Sequence, residues 1–128
     1  MILIVDDDPA FLEEAEEILA PERGLLFLRH GREVIRFIQD IGVSVVLVDL
    51  SLGDENGFEL IRSLRKADSK LPIIAISGVY PREVLESALL LGANEVLSKP
   101  ATPAWKKVVE RLRKRDLATE KTLTAGAA

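Results

Sequence analysis

The chain has 128 residues, of which 48% are hydrophobic and 30% charged, with a net charge of -4 and no cysteine. That length suits one domain with its own core. The missing cysteines exclude a disulfide framework and a thiolate metal site, and a pI near 5.1 argues against a general nucleic-acid binder.

Met1 is followed by only four apolar residues, Ile2 to Val5, before a run of aspartates. This is too short for a signal-peptide core, and nothing approaches the roughly 20 apolar residues of a membrane span. A cytoplasmic protein with no membrane partner is expected. Ile2-Leu3-Ile4-Val5 reads as a strand buried on both faces. Asp8 then stands as a helix N-cap ahead of Pro9. Phe11, Ala15, Ile18 and Leu19 recur at helical spacing, with glutamates opposite, so a helix is expected from about Pro9 to Leu19.

The unit repeats along the chain. Leu25 to Leu28 forms a second strand, and Val34, Ile35, Ile38 and Ile41 mark a second helix. Val45 to Val48 is a third strand, followed by a helix bearing Phe58, Ile61 and Leu64, with Gly57 at its start. Ile73 to Ile76 is a fourth strand. Val84, Leu85, Ala88, Leu89 and Leu91 mark one fourth helix ended by Gly92. Glu95 to Ser98 is a fifth strand, and Trp105, Val108, Val109 and Leu112 stripe a last helix. Five β-α units imply an α/β fold: a single doubly wound, five-stranded parallel sheet in flavodoxin-like order 2-1-3-4-5, with helices on both faces. The domain is expected over 1–116, with 117–128 a flexible tail or a linker cut short.

In such a sheet, ligands bind beyond the carboxyl ends of the strands, where strand order reverses. The residues brought there are Asp6, Asp7 and Asp8 after the first strand, Asp49 after the third, Ser77 after the fourth and Lys99 after the fifth. Clustered carboxylates repel one another unless a cation binds. Oxygen ligands without His or Cys favour a hard, partly hydrated ion, Mg²⁺ or Mn²⁺. A carboxylate is also a nucleophile toward phosphorus, and that chemistry wants a metal, an ammonium and a hydroxyl donor around the phosphoryl oxygens.

The run Ile2–Pro9, the segment Val46-Leu47-Val48-Asp49 with Gly57 beyond it, Ile74-Ala75-Ile76-Ser77-Gly78, Gly92-Ala93-Asn94 and Leu97-Ser98-Lys99-Pro100 together resemble the receiver domains of two-component signalling, over nearly the whole chain. The resemblance implies that Asp49 is the phosphoacceptor and that Asp7 ligates Mg²⁺ directly. It makes Asp6 a ligand through water and the Ser51 backbone carbonyl a further one. It makes Ser77 the switch hydroxyl, Lys99 the ammonium, and Pro100 the residue of a peptide bond that is often cis. A histidine kinase or phosphotransfer protein would be the donor. A downstream protein would read the face of the fourth helix, fifth strand and fifth helix, and a homodimer is left open. Such a domain is a switch that catalyses only its own phosphorylation and dephosphorylation, with no direct nucleic-acid contact.

Three departures bear on the readout. Gly53 stands where the family usually has Pro, which should loosen that loop. Val96 replaces the usual aromatic three residues before the lysine, and Ala101 the one that often follows the Lys-Pro pair. Two other classes compete. A haloacid-dehalogenase-like phosphatase also uses Asp, Mg²⁺, a hydroxyl and Lys, but Ala10 and the lack of an acidic pair after Lys99 count against it. A pseudo-receiver would bind partners unphosphorylated, yet would have little reason to keep a repelling acidic cluster. His30 is expected as a solvated loop residue, Trp105 as core, and Arg111, Arg113, Lys114 and Arg115 as a solvated face.

Overall fold

In the computed structural model the described residues are 1–19, 24–53 and 55–114. The elements run in alternation: β1 (Ile2–Val5), α1 (Pro9–Leu19), β2 (Leu25–Leu28), a 3-10 turn (Gly31–Glu33) leading into α2 (Val34–Asp40), then β3 (Val45–Asp49). Two short strands, β4 (Ser51–Leu52) and β5 (Glu55–Asn56), precede α3 (Gly57–Ala67). The chain continues through β6 (Ile73–Ser77), α4 (Arg82–Glu86), α5 (Ala88–Leu91) and β7 (Glu95–Ser98). A last helix, α6, covers residues 103–114. The expected boundary at 116 and the tail 117–128 lie outside the described residues.

The main sheet is parallel with order β2-β1-β3-β6-β7, which is the expected 2-1-3-4-5 arrangement once the β4–β5 ribbon is set aside. Every residue of β1, β3 and β6 is buried, which is why these strands read as unbroken apolar runs rather than alternating ones. The period-two rule still operates inside them. Leu3, Val5, Val46, Val48, Ile73 and Ala75 face one core with Val34, Ile61, Leu64, Leu85 and Ala88. Ile2, Ile4, Val45, Leu47, Ile74 and Ile76 face the other with Phe11, Ala15, Trp105, Val109 and Leu112. Each such Val, Leu, Ile or Phe side chain contributes roughly 1.5–3 kcal/mol by leaving water. Trp105 is core, as expected, against Phe11 with ring centroids 5.6 Å apart.

Three features differ from the sequence reading. The third and fourth sheet strands each run one residue further, to Asp49 and Ser77, because the ladder continues through Asp49↔Ile76 and Ser77↔Ser98. The expected single fourth helix is two pieces broken at Ser87, whose hydroxyl donates to the Val84 carbonyl at 2.5 Å and competes with the helical ladder. Its stripe is also only partly buried: Leu85 and Ala88 are covered, whereas Val84 and Leu89 are exposed. Lastly, the segment after Asp49 carries a short paired ribbon that the sequence reading did not include. Leu52 pairs with Glu55 and Ser51 with Asn56, and Gly53 takes φ 62° in the reversal. Proline is fixed near -65° and cannot adopt that conformation.

Candidate functional site

The register of the sheet brings the chemistry together. Val5 pairs with Val48 and Asp49 with Ile76, so Asp6, Asp49 and Ser77 end neighbouring strands on one rim. Lys99 follows the edge strand β7 and reaches inward. All three strand-end residues are buried: Asp6 at 0%, Asp49 at 4% and Ser77 at 1% exposure. Lys99 Nζ lies 2.6 Å from Asp6 Oδ2 and 3.0 Å from Asp49 Oδ2.

Each carboxylate is fixed by its own local turn. Asp6 Oδ1 accepts from the Asp8 N–H at 3.0 Å, and Asp49 Oδ1 accepts from the Ser51 N–H at 2.9 Å. Asp8 caps α1, accepting from the Ala10 N–H at 3.1 Å. The short spacing that turns the chain away from the strand thus also orients the acid. Asp6 Oδ2 is paired with Lys99 yet completes no hydrogen bond of good geometry.

Carboxylate oxygens of Asp6, Asp7 and Asp49 all lie within 4.8 Å of one another, with Asp7 exposed to solvent. Burial pushes the Asp6 carboxyl up to about 6, with the Lys99 contact pulling it down and the Asp49 charge adding to the rise. Burial alone would lower the Lys99 ammonium, but its hydrogen bonds and charge pairing with Asp6 and Asp49 hold it above its ordinary value. Repelling acids, an oxygen-only donor set and an incompletely bonded buried oxygen fit a hard divalent cation.

Gly57 is set against this site. A Cβ there would lie 2.4 Å from the Asp49 carbonyl oxygen and 2.5 Å from Leu50 Cα, so only glycine lets α3 start this close to the acceptor strand. The Lys99–Pro100 bond is cis. The Ser77 hydroxyl accepts from the Val79 and Tyr80 N–H groups at 3.1 and 3.0 Å. Val96 is buried on β7, and Ala101 is buried beneath α1 and α6.

Several supporting contacts carried no sequence signal. Glu14 Oε1 accepts from the Ala101 N–H, tying the loop after Lys99 to α1. The Lys99 ammonium stands 4.3 Å from the Phe11 ring centroid, a cation–π contact. Glu55 accepts from the Gly31 N–H, joining the ribbon to the turn before α2. A helical stripe announces Phe11 as core; the glutamates read as solvated face or loop.

His30 is exposed, with its Nδ1 3.9 Å from Glu55 Oε1 and outside the acidic cluster. Arg111 pairs with Glu95 and Arg113 with Glu110, so two of the basic residues on α6 are spent on ion pairs. Arg115 lies outside the described residues. Among the described residues no helix is long and apolar enough to cross a membrane.

Comparison with known proteins agrees with this arrangement. The family described as "Response regulator receiver domain" matches residues 2–113. The cell cycle response regulator CtrA of Brucella ovis is 31% identical over 100 residues, covering 77% of this chain and 43% of that protein; the chain therefore spans less than half the length of that curated relative. The receiver domain of NtrX from Brucella abortus superposes with a TM-score of 0.79 at 26% identity, covering 89% of this chain and 98% of that one. A CheY-like response regulator receiver domain protein from Methanospirillum hungatei gives 0.74 at 28% identity, covering 94% and 96%. A sheet of this order, an acidic cluster at its switch point and a family match over almost the whole described chain lead to one assignment: the chain belongs to the response-regulator receiver domains of two-component signalling.

Proposed function

We propose that the chain is a phosphorylation switch whose acceptor is Asp49. The observation that carries this reading is the Lys99 ammonium held between the buried Asp6 and Asp49 carboxylates, beside an acidic cluster with an exposed member. An Asp49 carboxylate oxygen attacks the phosphorus of a phosphohistidine on a kinase or phosphotransfer protein. The N–P bond breaks as the O–P bond forms, and the imidazole departs with the bond pair and takes up a proton. Lys99 pairs with the phosphoryl oxygens, and Ser77 donates to one of them.

Asp7 and Asp49, the Ser51 backbone carbonyl and, through water, Asp6 would hold a Mg²⁺ or Mn²⁺ ion. That ion supplies positive charge against the carboxylates and the arriving phosphoryl group. The domain turns over no external substrate in this reading, works in the cytoplasm, and passes its state to a protein partner through the α4–α5, β7 and α6 surface.

The test is intact-protein mass after incubation with acetyl phosphate, with and without Mg²⁺, on the natural chain and Asp49→Asn. One added phosphoryl group, dependent on metal and absent in the variant, is the expected result. A chain that never acquires the adduct, even under rapid quench, is a receiver fold used without phosphorylation.

A further inference from the structure

Lys99 is held along its whole length. Its backbone N–H donates to the Ser77 carbonyl at 2.9 Å, and its stem passes over Gly78, where a Cβ would stand 3.4 Å from Lys99 Cβ and Cδ. Two carboxylates meet the ammonium, Asp6 at 2.6 Å and Asp49 at 3.0 Å. The side chain is only 14% exposed, so its place is set by protein groups rather than by solvent.

Two further contacts come from α1. The ammonium lies 4.3 Å from the Phe11 ring centroid. Glu14 Oε1 accepts from the N–H of Ala101 at 2.5 Å, two residues beyond Lys99. Phe11 and Glu14 are three positions apart on one helix, which makes them neighbours on the same face. Phe11 is 3% exposed and packs on Trp105, with the ring planes tilted by 59°. The same helix starts at the acid: the Asp8 N–H donates to Asp6 Oδ1, and Asp8 caps the Ala10 N–H. One rigid element therefore spaces Asp6 from the segment that carries Lys99.

The contacts on Lys99 differ in kind. Asp6 and Asp49 belong to the acidic cluster, so a divalent cation and a phosphoryl group draw on the same carboxylates that meet the ammonium. The Phe11 ring and the Glu14 carboxylate lie outside that cluster, and a cation there leaves them free to act on Lys99. A lysine ammonium sits on a flexible four-carbon stem, and a donor aimed at developing charge acts best when it need not reorganise during the reaction. A ring face attracts the ammonium through its quadrupole and takes none of its hydrogen-bond capacity.

We propose that Phe11 and Glu14 are positioning residues for the phosphoryl transfer. From one face of α1 the ring places the Lys99 ammonium and the carboxylate fixes the backbone behind it, so Lys99 keeps its place when metal and phosphoryl group engage Asp6 and Asp49. This rests on Lys99 serving the phosphoryl oxygens of Asp49. Both residues act through Lys99.

Fluorination of the ring withdraws charge from its face while keeping an apolar ring in the core, so it separates cation–π attraction from packing. Phe11 is replaced in the full chain by mono-, di- and trifluorophenylalanine, and adduct formation from acetyl phosphate and Mg²⁺ is timed by rapid-quench intact mass. The rate is expected to fall stepwise along the series, by about twofold to thirtyfold in all, the span of one such contact. Glu14→Ala should lower it as well, and Glu14→Gln, which keeps an acceptor oxygen for the Ala101 N–H, should recover it. A metal-free readout accompanies the rates, with lysines isotope-labelled at the ε-carbon and the Lys99 signal identified by its loss in Lys99→Arg. Its ε-CH2 protons should resonate upfield of the other lysines, in the ring current of Phe11, and move toward them in Phe11→Leu and Glu14→Ala. Rates that stay flat or rise along the fluorinated series overturn the positioning role and leave Asp49 as acceptor. A Lys99 signal unmoved in both Phe11→Leu and Glu14→Ala does the same. A natural chain that acquires no adduct removes the acceptor reading and this one with it, and the mass alone tells the two failures apart.

Discussion

The Lys99 ammonium stands 3.0 Å from Asp49 Oδ2, although the two residues are 50 positions apart in the chain. Between them lie the β4–β5 ribbon, α3, β6, α4, α5 and β7, and the contact exists because β7 lies two strands from β3 in the sheet. Lys99 is the cation that both buried acids share. Its removal leaves two carboxylates facing each other with their charge uncompensated, a situation that costs about 3–5 kcal/mol when a buried pair is broken. Some of that cost is relieved by proton uptake, so metal-free Lys99→Ala is expected to lose about 3 kcal/mol. Its rate of adduct formation should fall about a hundredfold or more, as when one donor to a developing charge is deleted. Urea midpoints and rapid-quench mass measurements check the two effects separately, and an unaltered rate would remove Lys99 from the chemistry.

The buried Asp6 carboxyl gives the metal-free chain a definite pH response. Its value is raised from 3.8 to about 6, chiefly by burial, so between those values the folded chain binds more protons than the unfolded one. Stability must then fall as pH rises from about 4 to about 6 and level off above. The raised Lys99 acts at the other end: its contribution is present below its unfolded value and is lost as the pH climbs past it. A divalent ion competes with the Asp6 proton, so its apparent affinity should climb through the same acidic window. Denaturation at pH 4.5 and pH 7, with and without Mg²⁺, is the measurement. The gap between the two pH values should close when metal is present, and a metal-free stability that rises across this range would contradict the assignment.

The contrast between what the sequence disclosed and what it hid has a physical origin. Strands such as Val45–Asp49 are buried on both faces, so composition alone marks them, and a polar residue closing an apolar run stands out as a site residue. Asp6, Asp49 and Ser77 are legible for that reason, and Lys99 by its place after the fifth sheet strand and before Pro100. Glu14 and Glu55 are not, because one sits among the glutamates of α1 and the other in a short polar stretch, and each becomes special only through a partner 87 or 24 residues away. The break at Ser87 was hidden in a similar way. Apolar residues at Val84, Leu85, Ala88, Leu89 and Leu91 satisfy helical periodicity, but periodicity does not report a hydroxyl that captures the Val84 carbonyl. At Gly53 the sequence showed a missing proline but not the positive φ that the residue adopts beside a paired ribbon.

Gly57 and Gly42 form a matched test of whether the acceptor strand tolerates a single added methyl. At Gly57 the new Cβ meets backbone atoms at 2.4 and 2.5 Å, including the Asp49 carbonyl; at Gly42 it meets nothing within 4 Å. Backbone cannot swing aside as a side chain can, so Gly57→Ala should lose about 1–3 kcal/mol through overpacking and displace Asp49 from Lys99. Gly42→Ala lies outside the sheet strands and should stay within about 0.5 kcal/mol of the natural chain. Thermal or urea unfolding of both variants decides the matter. Equal stability would mean that α3 can recede from β3 without cost.

Arg65 supplies the last prediction, because it joins α3 to the turn that precedes β7. Its Nε and Nη2 donate to the Gly92 carbonyl at 3.0 and 2.7 Å, Nη2 also reaches Asn94 Oδ1 at 2.9 Å, and Nη1 donates to the Asp68 carbonyl at 3.1 Å. Asn94 Oδ1 in turn accepts from the Ile73 N–H at 2.8 Å, so the guanidinium fixes the amide that holds the start of β6. Burial lowers the Arg65 guanidinium from its ordinary value, with Asp68 opposing the fall. A lysine brings one ammonium with no planar fork and cannot reproduce two parallel bonds to one carbonyl. Arg65→Lys and Arg65→Ala should therefore both destabilise the chain, by about 1–3 kcal/mol for the groups left unpaired. Combined with Asn94→Ala, the two losses should be less than additive, since they remove parts of one network. Strict additivity in that double-mutant cycle would show that Arg65 and Asn94 act independently.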